Sequence, residues 1–206
     1  MKQTIELSKN DTSKSNKMSV RNMAFIAVMA ALICVAAPFS VPLPGYIPIS
    51  LATFAVYLAG GVLGWKKGAA AVLVYILLGA VGLPVFSGGA GGFAKLFGVT
   101  GGYIFGYIPC VLLTGLFVDK LYKKRSNGFI GWLSGAWAVP AGMILGTAAC
   151  YAFGTAWYIV TTGTELAAAI ASCVVPFLVG DLVKIVCASA LVMMLRDRLA
   201  KVMAGT

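Results

Sequence analysis

Histidine is absent from these 206 residues, and charge is nearly so: Asp, Glu, Lys and Arg make up 11% of the chain. A soluble domain carries about a quarter. Acids are scarcest, six against sixteen bases. With no histidine, no pair of acids in one apolar segment and no serine–base constellation, acid–base and nucleophilic catalysis have no candidate residues. The chain is not expected to be an enzyme. No Gly-Lys-Ser or Gly-Lys-Thr occurs, which excludes a P-loop ATPase. Five cysteines (Cys34, Cys110, Cys150, Cys173, Cys187) lie in apolar segments without Cys-x-x-Cys spacing. They read as small buried hydrophobes rather than metal ligands or disulfide partners. No metal and no cofactor are expected.

What the chain has instead is long uncharged runs: 22–65, 68–94, 96–118 and 126–164. A helix crosses a bilayer with about 20 apolar residues. The sequence therefore predicts an all-α, polytopic membrane protein. Residues 1–21 are polar, with no apolar stretch or small-residue cleavage site, and read as a cytoplasmic tail rather than a secretory signal. Residues 22–196 form one transmembrane domain and 197–206 a second cytoplasmic tail. Four prolines (Pro38, Pro42, Pro44, Pro48) divide the first run, since proline ends a helix. Spans are expected near 22–37, 49–65, 68–83, 99–119, 129–153 and 172–195.

The bases test that count. With both termini inside, 14 of 16 Lys and Arg fall on the cytoplasmic side: in the tail, at Lys66 and Lys67, at Lys120–Arg125, and at Arg196, Arg198 and Lys201. Trp65, Tyr122 and Trp132 stand beside these clusters as interface anchors. The net charge of +10 thus reflects topology, and no nucleic-acid partner is expected.

Lys95 and Lys184 disobey the rule, and Asp181 lies within a span. A charge at mid-bilayer costs about 2.5–3.5 kcal/mol on insertion scales. Asp181 and Lys184 are three apart and share a helical face. Two readings stay open: an ion pair that neutralises itself in the bundle, or a ligand site. Lys95 sits in the stretch 82–103, where eight of 22 residues are glycine. Such backbone re-enters the outer leaflet only where protein or water satisfies it, as around a ligand cavity. Lys95 is either an exposed loop lysine or part of that cavity. One acid and two bases suit a small monoanion. Gly89–Ala94 matches GxGxx(G/A), yet no strand precedes it, and the match is accidental. Small-xxx-small pairs (Ala27/Ala31, Gly60/Gly64, Gly98/Gly102/Gly106, Gly131/Gly135, Gly142/Gly146) predict close helix contacts.

The segment GLPVFSGGAGGFAKLFGVTGGYIFGY resembles the signature of the BioY family, biotin-binding S components of energy-coupling factor (ECF) transporters. The Ala27/Ala31 pair, the segment 41–64 and GDLVK at 180–184 agree in order. Val99 and Ala52 depart from the family's usual proline and glutamine. The resemblance implies an S-component-like bundle of six transmembrane helices with a re-entrant Gly-rich outer loop, binding biotin from outside. It implies a transmembrane coupling subunit and two ATPase subunits as partners, with Ala27 and Ala31 facing the coupling subunit. Under it, Asp181 accepts from ureido N–H and Lys184 donates to the polar head or to neighbouring water. Lys95 meets the carboxylate, Ser87, Gly88 and Gly89 close over the ligand, and Phe86, Tyr103, Tyr151 and Trp157 line the ring. For these aromatics ordinary packing is an equal reading. The alternatives are an S component for another small anionic vitamin, or a stand-alone facilitator.

Overall fold

The computed structural model describes residues 20–41, 47–122 and 136–204. The first helix, α1 (Val20–Ala36), buries Ile26, Ala30 and Ile33 at the three-to-four spacing of one face. Ala27, Val28, Ala31 and Leu32 are exposed on the other. Two short strands follow, β1 (Ser40–Val41) and β2 (Ile49–Ser50), paired antiparallel with Ser40 opposite Ser50. The prolines expected to break the chain flank or occupy this region, though Pro42 and Pro44 lie outside the described residues. Ser50 ties the connection down. Its hydroxyl donates to the Ala37 carbonyl at 2.8 Å and accepts from the Ala52 N–H at 3.0 Å.

Helix α2 (Ala52–Ala80) holds two of the expected spans. Gly64 interrupts it with φ 79° and ψ 177°, a conformation open essentially to glycine alone. The chain reverses there, bringing Gly68 against the Ala59 carbonyl. At 1.5 Å per residue the arm 52–63 covers about 18 Å, short of the roughly 30 Å hydrocarbon core. The two-residue strand before it adds about 7 Å.

The glycine-rich stretch forms turns and one short helix, α3 (Phe93–Phe97). Its amides find partners: Phe86 N–H on Ala90 at 2.8 Å and Gly92 N–H on Gly79 at 2.7 Å. Helix α4 (Gly101–Leu121) packs on both α2 and α5 (Ala138–Thr162). Helices α6 (Leu166–Cys173) and α7 (Val175–Ala204) form one broken limb. Thus α1, the two arms of α2, α4, α5 and α6–α7 make six passes.

Two boundaries differ from expectation. Helix α5 (Ala138–Thr162) ends nine residues beyond the expected 153, while residues 129–135 of that expected span lie outside the described residues. Pro140 falls in its first turn, where a missing N–H costs nothing, and Gly163 ends it in the left-handed conformation at φ 69°. The last limb begins at Leu166 rather than 172 and continues helical to Ala204.

Charge gathers at one end. Lys67 donates to Asn22 Oδ1 at 3.0 Å, and Lys66 lies over the Trp65 ring. Asp119 accepts the Trp65 N–H at 3.1 Å, and Arg196 pairs with Asp119 while donating to the Gly61 carbonyl at 2.6 Å. The turn at Gly64 leaves that carbonyl and that amide without helical partners, and the ion pair supplies both. Of the small-residue pairs, Gly60 meets Val111 and Thr114, Gly142 meets Phe117 and Thr114, Gly146 meets Cys110, and Gly106 meets Cys150. Gly131, Gly135 and Trp132 lie outside the described residues.

Candidate functional site

At the end opposite that charged cluster the helices and loops surround a partly open cavity. Ile47, Pro48, Ser87 and Thr100 border its loop end; Tyr57, Tyr75, Tyr107, Cys110, Thr147 and Cys150 line it from within the helices. One wall is α7, whose placement begins with the break before it. Pro176 has no N–H to continue the helix, and Val174 takes φ −123°, ψ −55°. The freed Cys173 carbonyl accepts the Tyr103 hydroxyl at 3.0 Å. The break turns Phe177 and Asp181 to the cavity.

Asp181 is 4% exposed, and its carboxylate is held on both oxygens. Oδ1 accepts from Lys184 Nζ at 2.8 Å and from the Thr53 hydroxyl at 3.4 Å; Oδ2 accepts from the Tyr151 hydroxyl. Lys184 Nζ donates also to the Ser50 carbonyl at 2.7 Å and to Thr53 Oγ1 at 3.2 Å. An ammonium has three donors, and all three are engaged here. The pair is therefore neutral as a unit and anchored to the start of α2, which removes most of the cost of burying it. The carboxylate, with about four lone-pair directions, retains acceptor capacity toward the cavity.

Of the residues expected at the site, the fold brings Asp181, Lys184, Ser87, Tyr103 and Tyr151 to this one cavity. Others are placed elsewhere. Phe86 is fully buried edge-on against Tyr75, with ring centroids 5.5 Å apart, and fills the space left by Gly79. Trp157 packs on Gly102 and Phe105 and donates to the Gly98 carbonyl at 3.1 Å. Gly88 and Gly89 make the positive-φ turn beyond Ser87, and Lys95 is half-buried on α3; none of these lines the cavity. Ser50, Thr53, Tyr57, Tyr75 and Tyr107 are not singled out by the sequence. Their signal is a tyrosine or threonine well inside an uncharged span, where a hydroxyl needs a partner.

Six apolar passes among the described residues, with a cavity sunk in one end of the bundle and a neutralised ion pair in its wall, define a polytopic membrane protein built to hold a small molecule. Residues 9–201 match the model of the BioY family. The biotin transporter BioY of Thermotoga maritima is 37% identical over 180 residues, covering 86% of this chain and 96% of that one. Rhodobacter capsulatus BioY, also a biotin transporter, is 38% identical over 81% of this chain and 88% of its own length. The crystal structure of the S-component for biotin from an ECF-type ABC transporter superposes with a TM-score of 0.75. It is 29% identical and covers 90% of this chain and 95% of that one. The chain belongs to the BioY family.

Proposed function

We propose that this protein is the biotin-binding S component of an ECF-type importer, capturing biotin at the outer face of a prokaryotic plasma membrane with both termini inside. The observation that carries the reading is the Asp181–Lys184 pair in the wall of the cavity, away from the basic end of the bundle. An ionised pair within a span marks a site by default, because apolar residues would serve stability as well. The relatives named above, biotin transporters and a biotin S-component, support the choice of ligand.

Biotin offers two ureido N–H donors, a carbonyl, an apolar sulfur ring and one carboxylate. Asp181 accepts from a ureido N–H, with Tyr151, Thr53 and Lys184 fixing the carboxylate's plane. Tyr103, Tyr151 and Phe177 flank the apolar ring. The carboxylate lies at the loop end beside Ser87 and Thr100, with Lys95 on the same outer segment. The chain itself supplies no ATPase. A coupling subunit and two ATPase subunits drive release, and the exposed Ala27/Ala31 face of α1 is the surface offered to the coupling subunit.

Titration of the detergent-purified chain with biotin and lipoate tests the reading. Biotin binds and lipoate does not, and Asp181→Asn and Lys184→Ala each weaken biotin by at least about a hundredfold, as expected when a buried pair loses one partner. Wild-type affinity in both folded variants would overturn it.

A further inference from the structure

The cavity wall carries hydroxyls of two kinds. Those of Thr53, Tyr57, Tyr103, Thr147 and Tyr151 are engaged within the protein. The hydroxyls of Ser87 and Thr100 at the loop end have no partner among the described residues, and deeper in neither that of Tyr75 nor that of Tyr107 has one. Both residues are nine-tenths or more buried, 1% and 7% exposed, and both line the cavity. No fully buried side-chain oxygen among the described residues lacks a partner, so these two phenol oxygens open on the cavity itself. Their rings are neighbours, with centroids 6.4 Å apart, one from the second arm of α2 and one from α4. Each lies five to six residues below the loop end of its helix, about 7–9 Å inward.

We infer that Tyr75 and Tyr107 form a donor subsite for the neutral carbonyl oxygen of the bound solute, which, resting on the function proposed above, is the ureido carbonyl of biotin. The charge inventory points the same way. Among the lining residues the charged side chains are Asp181 and Lys184, which cancel, and every N–H of Lys184 is already engaged. A carboxylate driven down to the two tyrosines would be a buried anion without a free cation, which is costly; a carbonyl needs only neutral donors. Two phenols left unpaired in a buried wall are likewise unfavourable until an acceptor arrives. Asp181 and the tyrosine pair would then clasp the ureido group from its donor and acceptor sides, with the carboxylate left toward the loop end.

The test is isothermal titration of the purified full chain, Tyr75→Phe, Tyr107→Phe and the double variant with biotin and with biotin methyl ester. The ester masks the carboxylate and keeps the ureido group. Each single variant is expected to raise the dissociation constant about fivefold to tenfold, the double variant further, and by the same factor for acid and ester. Variants that bind both ligands like wild type overturn the inference. So does a loss confined to the acid, which would assign the hydroxyls to the carboxylate. Titration reads affinity on the folded fraction, so partial misfolding lowers the stoichiometry and leaves the dissociation constant readable. A wild-type chain that does not bind biotin overturns the proposed function along with this subsite.

Discussion

Lys184 is a residue for which the sequence leaves two readings open, an ion pair or a ligand contact. Its three donors serve the Ser50 carbonyl, Thr53 and Asp181, so it orients an acceptor and ties α7 to the start of α2. The charge can be read from the sequence because its insertion cost demands a reason; the direction of its donors cannot, because that depends on a carbonyl 134 residues away. Tyr75 and Tyr107 illustrate the converse. A tyrosine in an apolar run is a weaker mark than a charge, and whether its hydroxyl is paired or open becomes visible only once a cavity faces it. Gly64 belongs to this scale too. Expected as a packing glycine, it is the turn between two spans, and a Cβ there would strike the Asp119 carboxylate. Gly64→Ala is expected to cost about 1–3 kcal/mol from backbone strain alone, lowering the thermal midpoint of the purified protein. An unchanged midpoint would mean that the reversal tolerates ordinary backbone.

Elements whose ends carry charge are legible in the sequence, and elements without it are less so. Lys66 and Lys67 mark the reversal between the arms of α2 to within a few residues, and Lys120 marks the end of α4. The run 126–164 contains no charge, so nothing fixes α5 along the bilayer normal except Pro140 and Gly163, whose capping roles emerge only with the backbone. Pro176 signals the break between α6 and α7, while the acceptance of the Tyr103 hydroxyl by Cys173 depends on helix packing. Helix α1 carries a prediction of its own. Its inward face is Ile26, Ala30 and Ile33, so Ala27 and Ala31 are free to meet a partner helix. Ala27→Leu with Ala31→Leu should leave biotin affinity in detergent unchanged and abolish uptake in cells that supply the coupling and ATPase subunits. Weakened binding would instead give that face a role inside the bundle.

The molecule as a whole separates two jobs along its axis. One end fixes the fold: Asp119 and Arg196 satisfy the amide and carbonyl freed at Gly64. The other end holds a cavity whose polar groups are arranged rather than abundant: a fixed acceptor at Asp181, two open phenol hydroxyls deep in the wall, and a mouth with the hydroxyls of Ser87 and Thr100. Composition is enough for the number of passes, and the misplaced charges for the neighbourhood of the site. The wall opposite Asp181 is not legible, because uncharged hydroxyls look alike whether they are paired or waiting. The most direct measurement is a structure of the full chain determined with biotin present. A ureido nitrogen is expected within about 3 Å of an Asp181 carboxylate oxygen, with the biotin carboxylate at the Ser87 and Thr100 end. Biotin bound outside this cavity, or inside it with its carboxylate buried among the tyrosines, would contradict the assignment.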